Sequence, residues 1–228
     1  MNLGEGRTMK RWAALAIALA LSAWSPRASA QSNDQQGGWG VATTITAIGA
    51  GATALIMPRV FYGQAETTVG WKARYHVLQL APALVLTGLT VLNEYALKQA
   101  IGAERPGCSP PPNGGDPVCP SGAGPYETLS SHSFAAFSAF GQGTAVFVVD
   151  TIKWNGGRLN AGAIAGDIVV PLILAGVTAV GRVVGNWEDS GSVILSSGVG
   201  IVMGAITGVL YATLVGPECG YTGNLICW

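Results

Sequence analysis

The stretch HVLQLAPALVLTGLTVLNEYALKQAIGAERP, His76 to Pro106, decides what kind of fold this chain can adopt. His76–Leu97 is apolar without the alternation of a half-buried strand, and 22 residues of helix cross a hydrocarbon core. The end of the run then turns polar. Lys98 and Arg105 stand seven residues apart. If the helix continues, they share one face, separated by about two turns or ~10 Å of rise. Pro106 biases Glu104 and Arg105 toward the helix end. Two cations leaving a membrane helix on one side suit interfacial anchoring by snorkelling, and equally the cradling of a phosphate.

Working outward, four more apolar runs have spanning length: Trp39–Met57, Phe134–Ile152, Ala161–Val180 and Ser192–Val215. Because the runs are continuous, helices are expected. Composition agrees. The 228 residues are 49% hydrophobic and 11% charged, far below the roughly 25% charge of soluble domains. Net charge is zero and no basic tail or aromatic-basic interleaving exists, which argues against nucleic acid as a partner.

Residues 1–30 read as a signal peptide. Lys10 and Arg11 form its basic region, Trp12 to Trp24 its short apolar core, and Ala28-Ser29-Ala30 a cleavage site before Gln31. The expected fold is therefore an all-α integral membrane protein, a bundle of five transmembrane helices after cleavage and six without it. Residues 31–228 form a single membrane-embedded domain. In the last run Gly200, Gly204 and Gly208 make a small-residue stripe for close helix packing. Pro171 is expected to kink the fourth run, and Asp167 to face neighbouring helices.

With Gln31 outside, the inner loops hold Arg59, Lys72, Arg74, Lys153 and Arg158, and the outer helix ends hold only Lys98, Arg105 and Arg182. This places the chain in the inner membrane of a bacterium-like cell, with Lys98, Arg105 and Arg182 facing the periplasm. Cys108 and Cys119 flank a Pro/Gly-rich outer loop where a disulfide is plausible; Cys219 and Cys227 follow the last run, on the cytoplasmic side of this topology.

Two further clusters share the outer face. Leu129-Ser130-Ser131-His132 opens the third run, with serines suited to cap a helix whose free N–H groups attract anions. Gly181-Arg182 closes the fourth. Lysine, two arginines, a serine, a helix N-terminus and a histidine together have the chemistry of phosphoryl binding.

In their order these residues resemble the type 2 phosphatidic acid phosphatase superfamily, integral membrane enzymes with the motifs K-x6-R-P, P-S-G-H and S-R-x5-H-x3-D. Lys98, Arg105 and Pro106 complete the first motif, Ser130 and His132 keep half of the second, and Arg182 keeps the arginine of the third. The resemblance covers about residues 75 to 215. It implies that Lys98, Arg105, Ser130 and Arg182 hold the phosphate, that His132 protonates the leaving oxygen, and that no metal or other cofactor is needed.

The third motif then departs. Glu188 stands where the family has its nucleophilic histidine, and Ser192 where it has the aspartate that orients it. His76 and His132 are the only histidines, and His76 falls on the cytoplasmic side. Two functions remain open. One is a metal-independent phosphatase acting on a lipid phosphate or pyrophosphate at the outer face, weakened by the loss or using Glu188 as nucleophile. The other is a catalytically inactive relative that binds lipid head groups or packs with protein partners in a membrane assembly. In that case Glu188 pairs with an arginine and takes the place of the phosphate.

Overall fold

The computed structural model describes residues 33–56, 69–101, 103–104, 108, 126–127 and 129–215. The signal segment, Arg105, Pro106, Cys119, Cys219 and Cys227 lie outside the described residues. Among the described residues, five helices are long and apolar enough to cross a membrane. Helix α1 is Asn33–Ile56. Helix α2 is Val69–Leu92, which continues through a π-helical turn, Asn93–Leu97, into Lys98–Ile101. Helix α3 is Ser131–Val149 with a π-helical end, Asp150–Trp154. Helix α4 opens at Ala161–Ala163, passes through the π-helical Ile164–Val169, and runs on as Val170–Val184. Helix α5 is Ser190–Leu214.

The described helix of α2 ends at Ile101, short of the two turns beyond Lys98 that a shared helical face with Arg105 required, and Arg105 lies outside the described residues. Ala103–Glu104 (β1) instead pairs antiparallel with Tyr126–Glu127 (β2). Gly102, a residue that favours helix termination, follows Ile101 directly. Cys108, in the segment between the two strands, is disulfide-bonded. Pro171 leaves its mark in α4 as the π-helical stretch that ends two residues before it. Proline supplies no N–H and crowds the preceding turn, which the wider winding relieves.

The bundle is apolar outside and small or polar inside. Leu84 (69% exposed), Ile152 (72%) and Ile48 (67%) point outward, an arrangement compatible with a lipid surround. The buried set is dominated by Ala, Ser, Thr and Gly, which let helices approach closely. Helix α3 is the centre: 61% of its span is buried, against 17% to 33% of the other four. Against it lies the glycine stripe of α5. A Cβ on Gly200 would sit 2.6 Å from the Phe134 carbonyl oxygen, and one on Gly208 would sit 2.6 Å from that of Gln142. At Gly204 the Ser138 carbonyl is closer still. The two backbones touch.

Helix α1 closes the other side through Ala47, Ala50 and Ala54, packed with Ala136, Ala139 and Ala175. Its threonines satisfy themselves by donating to carbonyls one turn back, as Thr43 does to Trp39 (2.9 Å). Thr46 and Thr178 also bond each other, at 2.7 Å between α1 and α4. At the opposite end, Lys153 Nζ and Trp154 Nε1 donate to the Thr213 and Ala212 carbonyls in the last turn of α5.

Candidate functional site

The described site residues collect where α2 ends, α3 begins, and α4 turns into α5. Ser130 caps α3, its hydroxyl accepting from Ser133 N at 3.1 Å. The Ser130 N–H in turn donates to Ser196 Oγ at 2.5 Å, which pins the start of α3 to α5. Asn93, in the π-helical turn of α2, donates to the Leu129 carbonyl (2.8 Å) and to Ser131 Oγ (2.7 Å). Three helix ends are thus held in register by neutral polar side chains.

The turn after α4 places Glu188. Gly185 ends the helix, and Asn186 adopts φ +56°, the left-handed conformation that asparagine tolerates well. Asn186 N–H donates to the Val183 carbonyl and Trp187 N–H to that of Arg182, each at 3.0 Å, the pair of bonds of a Schellman ending. Glu188 N–H also reaches the Arg182 carbonyl, at 3.3 Å. The chain has doubled back on Arg182. Trp187 lies over the guanidinium, 5.3 Å from ring centroid to Cζ, and Glu188 meets it in a salt bridge of 2.9 Å. Asp189 then caps α5, accepting from Gly191 N and Ser192 N.

The carboxylate of Glu188 therefore occupies the middle of the cluster. Lys98 Nζ is 4.0 Å from the same Oε1 oxygen. Ser130 Oγ lies near the carboxylate, while its proton goes to Ser133 Oγ at 2.9 Å. Burial alone raises the Glu188 carboxyl. The Arg182 charge and hydrogen bond, with Ser130 and Lys98, outweigh it and hold the group below the usual carboxylate range. Glu188 Oε2 and Arg182 Nε are both buried without a hydrogen-bond partner.

His132 sits one residue into α3, within range of the charges of Arg182, Glu188, Lys98 and Glu94. Its Nε2 is 3.2 Å from Thr44 Oγ1, whose own proton goes to the Gly40 carbonyl. This contact couples the imidazole to α1.

The cluster unites Lys98, Ser130, His132, Arg182 and Glu188 as the sequence suggested, while Arg105 lies outside the described residues. Sequence reasoning missed Glu94. This second carboxylate pairs with Lys98 at 2.6 Å and accepts from Ser131 Oγ at 2.6 Å. Its four-residue spacing from Lys98 on a helix was the available signal. The charges described here balance, two cations against two carboxylates, and the donors (ammonium, guanidinium, hydroxyl, helix N-terminus) are those of an anion cradle. In comparisons with known proteins, no family model, no curated protein and no solved structure matches the chain.

Proposed function

We propose that this is a phosphatase-like membrane protein that binds phosphate head groups of lipids at the outer face of a bacterial inner membrane and does not hydrolyse them through a phosphohistidine. The observation that carries this reading is the salt bridge of Glu188 with Arg182. The position that resembles a nucleophile's site holds a carboxylate already paired with the arginine that would receive the phosphate. The outward orientation is supported by the excess of basic residues in the opposite loops and by the disulfide at Cys108, which suits an oxidising compartment. Such a protein serves as a head-group-binding or accessory subunit of a membrane assembly.

The enzymatic reading has one observation in its favour. Glu188 Oε2 has no hydrogen-bond donor, which leaves its lone pairs available for attack on phosphorus. A phosphate-release assay on phosphatidate and undecaprenyl pyrophosphate, in detergent without divalent metal, separates the two. We expect no release by the native protein. Release that vanishes in both Glu188→Ala and Arg182→Ala would instead establish an enzyme working through Glu188.

A further inference from the structure

Glu188 Oε2 is an acceptor without a donor, Arg182 Nε is a donor without an acceptor, and both are buried in one ion pair. Leaving either group unmatched away from water is costly, and a pair with opposite needs calls for one bridging group. A fully deprotonated oxyanion fails that test. It offers acceptors to Arg182 Nε but sets a bare negative oxygen against Glu188. A cation satisfies the carboxylate and offers no acceptor to Arg182 Nε. A hydroxyl meets both atoms, and a phosphate with a P–OH does so while adding oxygens for the ammonium and the helix N-terminus of the cradle.

We propose that the cradle takes the protonated form of a phosphate monoester, its P–OH donating to Glu188 Oε2 while an unprotonated oxygen accepts from Arg182 Nε. The proposal rests on the anion-cradle reading above and adds a rule of selection. The second ionisation of a phosphate monoester lies near pH 6, so the singly protonated form is plentiful around neutrality. Sulfate and phosphodiesters carry no such proton there. Lys98, 4.0 Å from Glu188 Oε1 and held by Glu94, stands ready to neutralise a further oxygen. Glu188 is thus a specificity residue. It reads the proton on the ligand, and a glutamine would not, because its amide donates as well as accepts.

The test is calorimetric titration of the protein in phosphatidylcholine nanodiscs at about pH 6, with inorganic phosphate, sulfate and dimethyl phosphate as probes. The pH is held constant because His132 and Glu94 share the cluster with Glu188, Arg182 and Lys98. We expect phosphate to bind, and sulfate and dimethyl phosphate to bind on the order of 100-fold more weakly or not at all. In Glu188→Gln the preference for phosphate over sulfate should fall below about tenfold. Equal binding of phosphate and sulfate by the native protein overturns the proposal and leaves the cradle. So does silence in the native protein with binding of both anions by Glu188→Gln, which makes the carboxylate a plug. Silence in both proteins removes the cradle reading itself. Phosphatidate added to the discs distinguishes the source: suppression of the phosphate titration assigns the site to a lipid head group, and an unchanged titration assigns it to free phosphate.

Discussion

Replacing Glu188 by alanine removes the one carboxylate among the described residues that pairs with Arg182. Both side chains are buried, 0% exposed for Glu188 and 6% for Arg182, so solvent does not screen the loss. Breaking a buried pair by deleting one partner costs about 3–5 kcal/mol, because the survivor keeps its desolvation penalty. Here the lower end applies. Lys98 retains Glu94 at 2.6 Å, so one cation is stranded rather than two, and Trp187 still covers it. We therefore expect Glu188→Ala to lose about 3 kcal/mol of unfolding free energy in a reversible micelle-to-SDS titration, in phosphate-free buffer. Combining Glu188→Leu with Arg182→Met should recover at least about 2 kcal/mol relative to the sum of the single variants. A Glu188→Ala protein within about 0.5 kcal/mol of the native one, or a strictly additive double variant, would refute the claim that this pair holds the cluster together.

The pH dependence carries a definite sign. Glu188 is held below its unfolded value, so its contribution is complete above that value, near pH 4.3, and is lost as pH falls through the folded one. Acidification from neutrality to below about pH 4 should cost the native protein more unfolding free energy than it costs Glu188→Gln. In the bundle, Gly204→Val should destabilise by at least about 2 kcal/mol, because a side chain there meets the α3 backbone at Ser138 and Gln142. Gly198→Ala, with open space around it, should be neutral or stabilise by up to about 1 kcal/mol in the same titration. At the turn, Asn186→Gly should keep the Trp187 emission spectrum, and Asn186→Val should shift it and cost about 1–2 kcal/mol, since a β-branched residue resists φ +56°. Ser130→Ala should cost about 1 kcal/mol through the lost cap, read in that titration.

The helices were legible because a membrane imposes one crude rule, length of apolar run, and the runs obey it. The observed span Ala161–Val184 begins where hydropathy places it and ends four residues later than expected. The Gly200, Gly204 and Gly208 stripe was legible because contact between backbones requires an absent side chain. The pairing of Arg182 with Glu188 was legible as a possibility, from their six-residue separation across a turn. Ser196 and Thr44 were not. Each enters the site from a helix whose place depends on the whole bundle, and neither lies near a motif. Glu94 was hidden in an apolar run, and the π-helical turn that carries it alters the helical register there. The helix end at Ile101 was read past, because the spacing of Lys98 and Arg105 outweighed the stop signal in Gly102.

What Glu188 changes is the state in which this site is complete. A cluster of buried cations without anions is unstable by itself, and it draws in a ligand to finish folding as well as to bind it. With Glu188 and Glu94 in place, the described cations are already neutralised, and the three helix ends close around them without a guest. A ligand must then offer more than charge. An anion that displaced the internal carboxylate would gain little, since one ion pair would be exchanged for another, so binding must leave Glu188 in place. It gains where the guest supplies the hydrogen bonds that Glu188 Oε2 and Arg182 Nε lack. Glu188 thereby raises the demand on ligand chemistry, which is why we expect Glu188→Gln to relax the preference among anions.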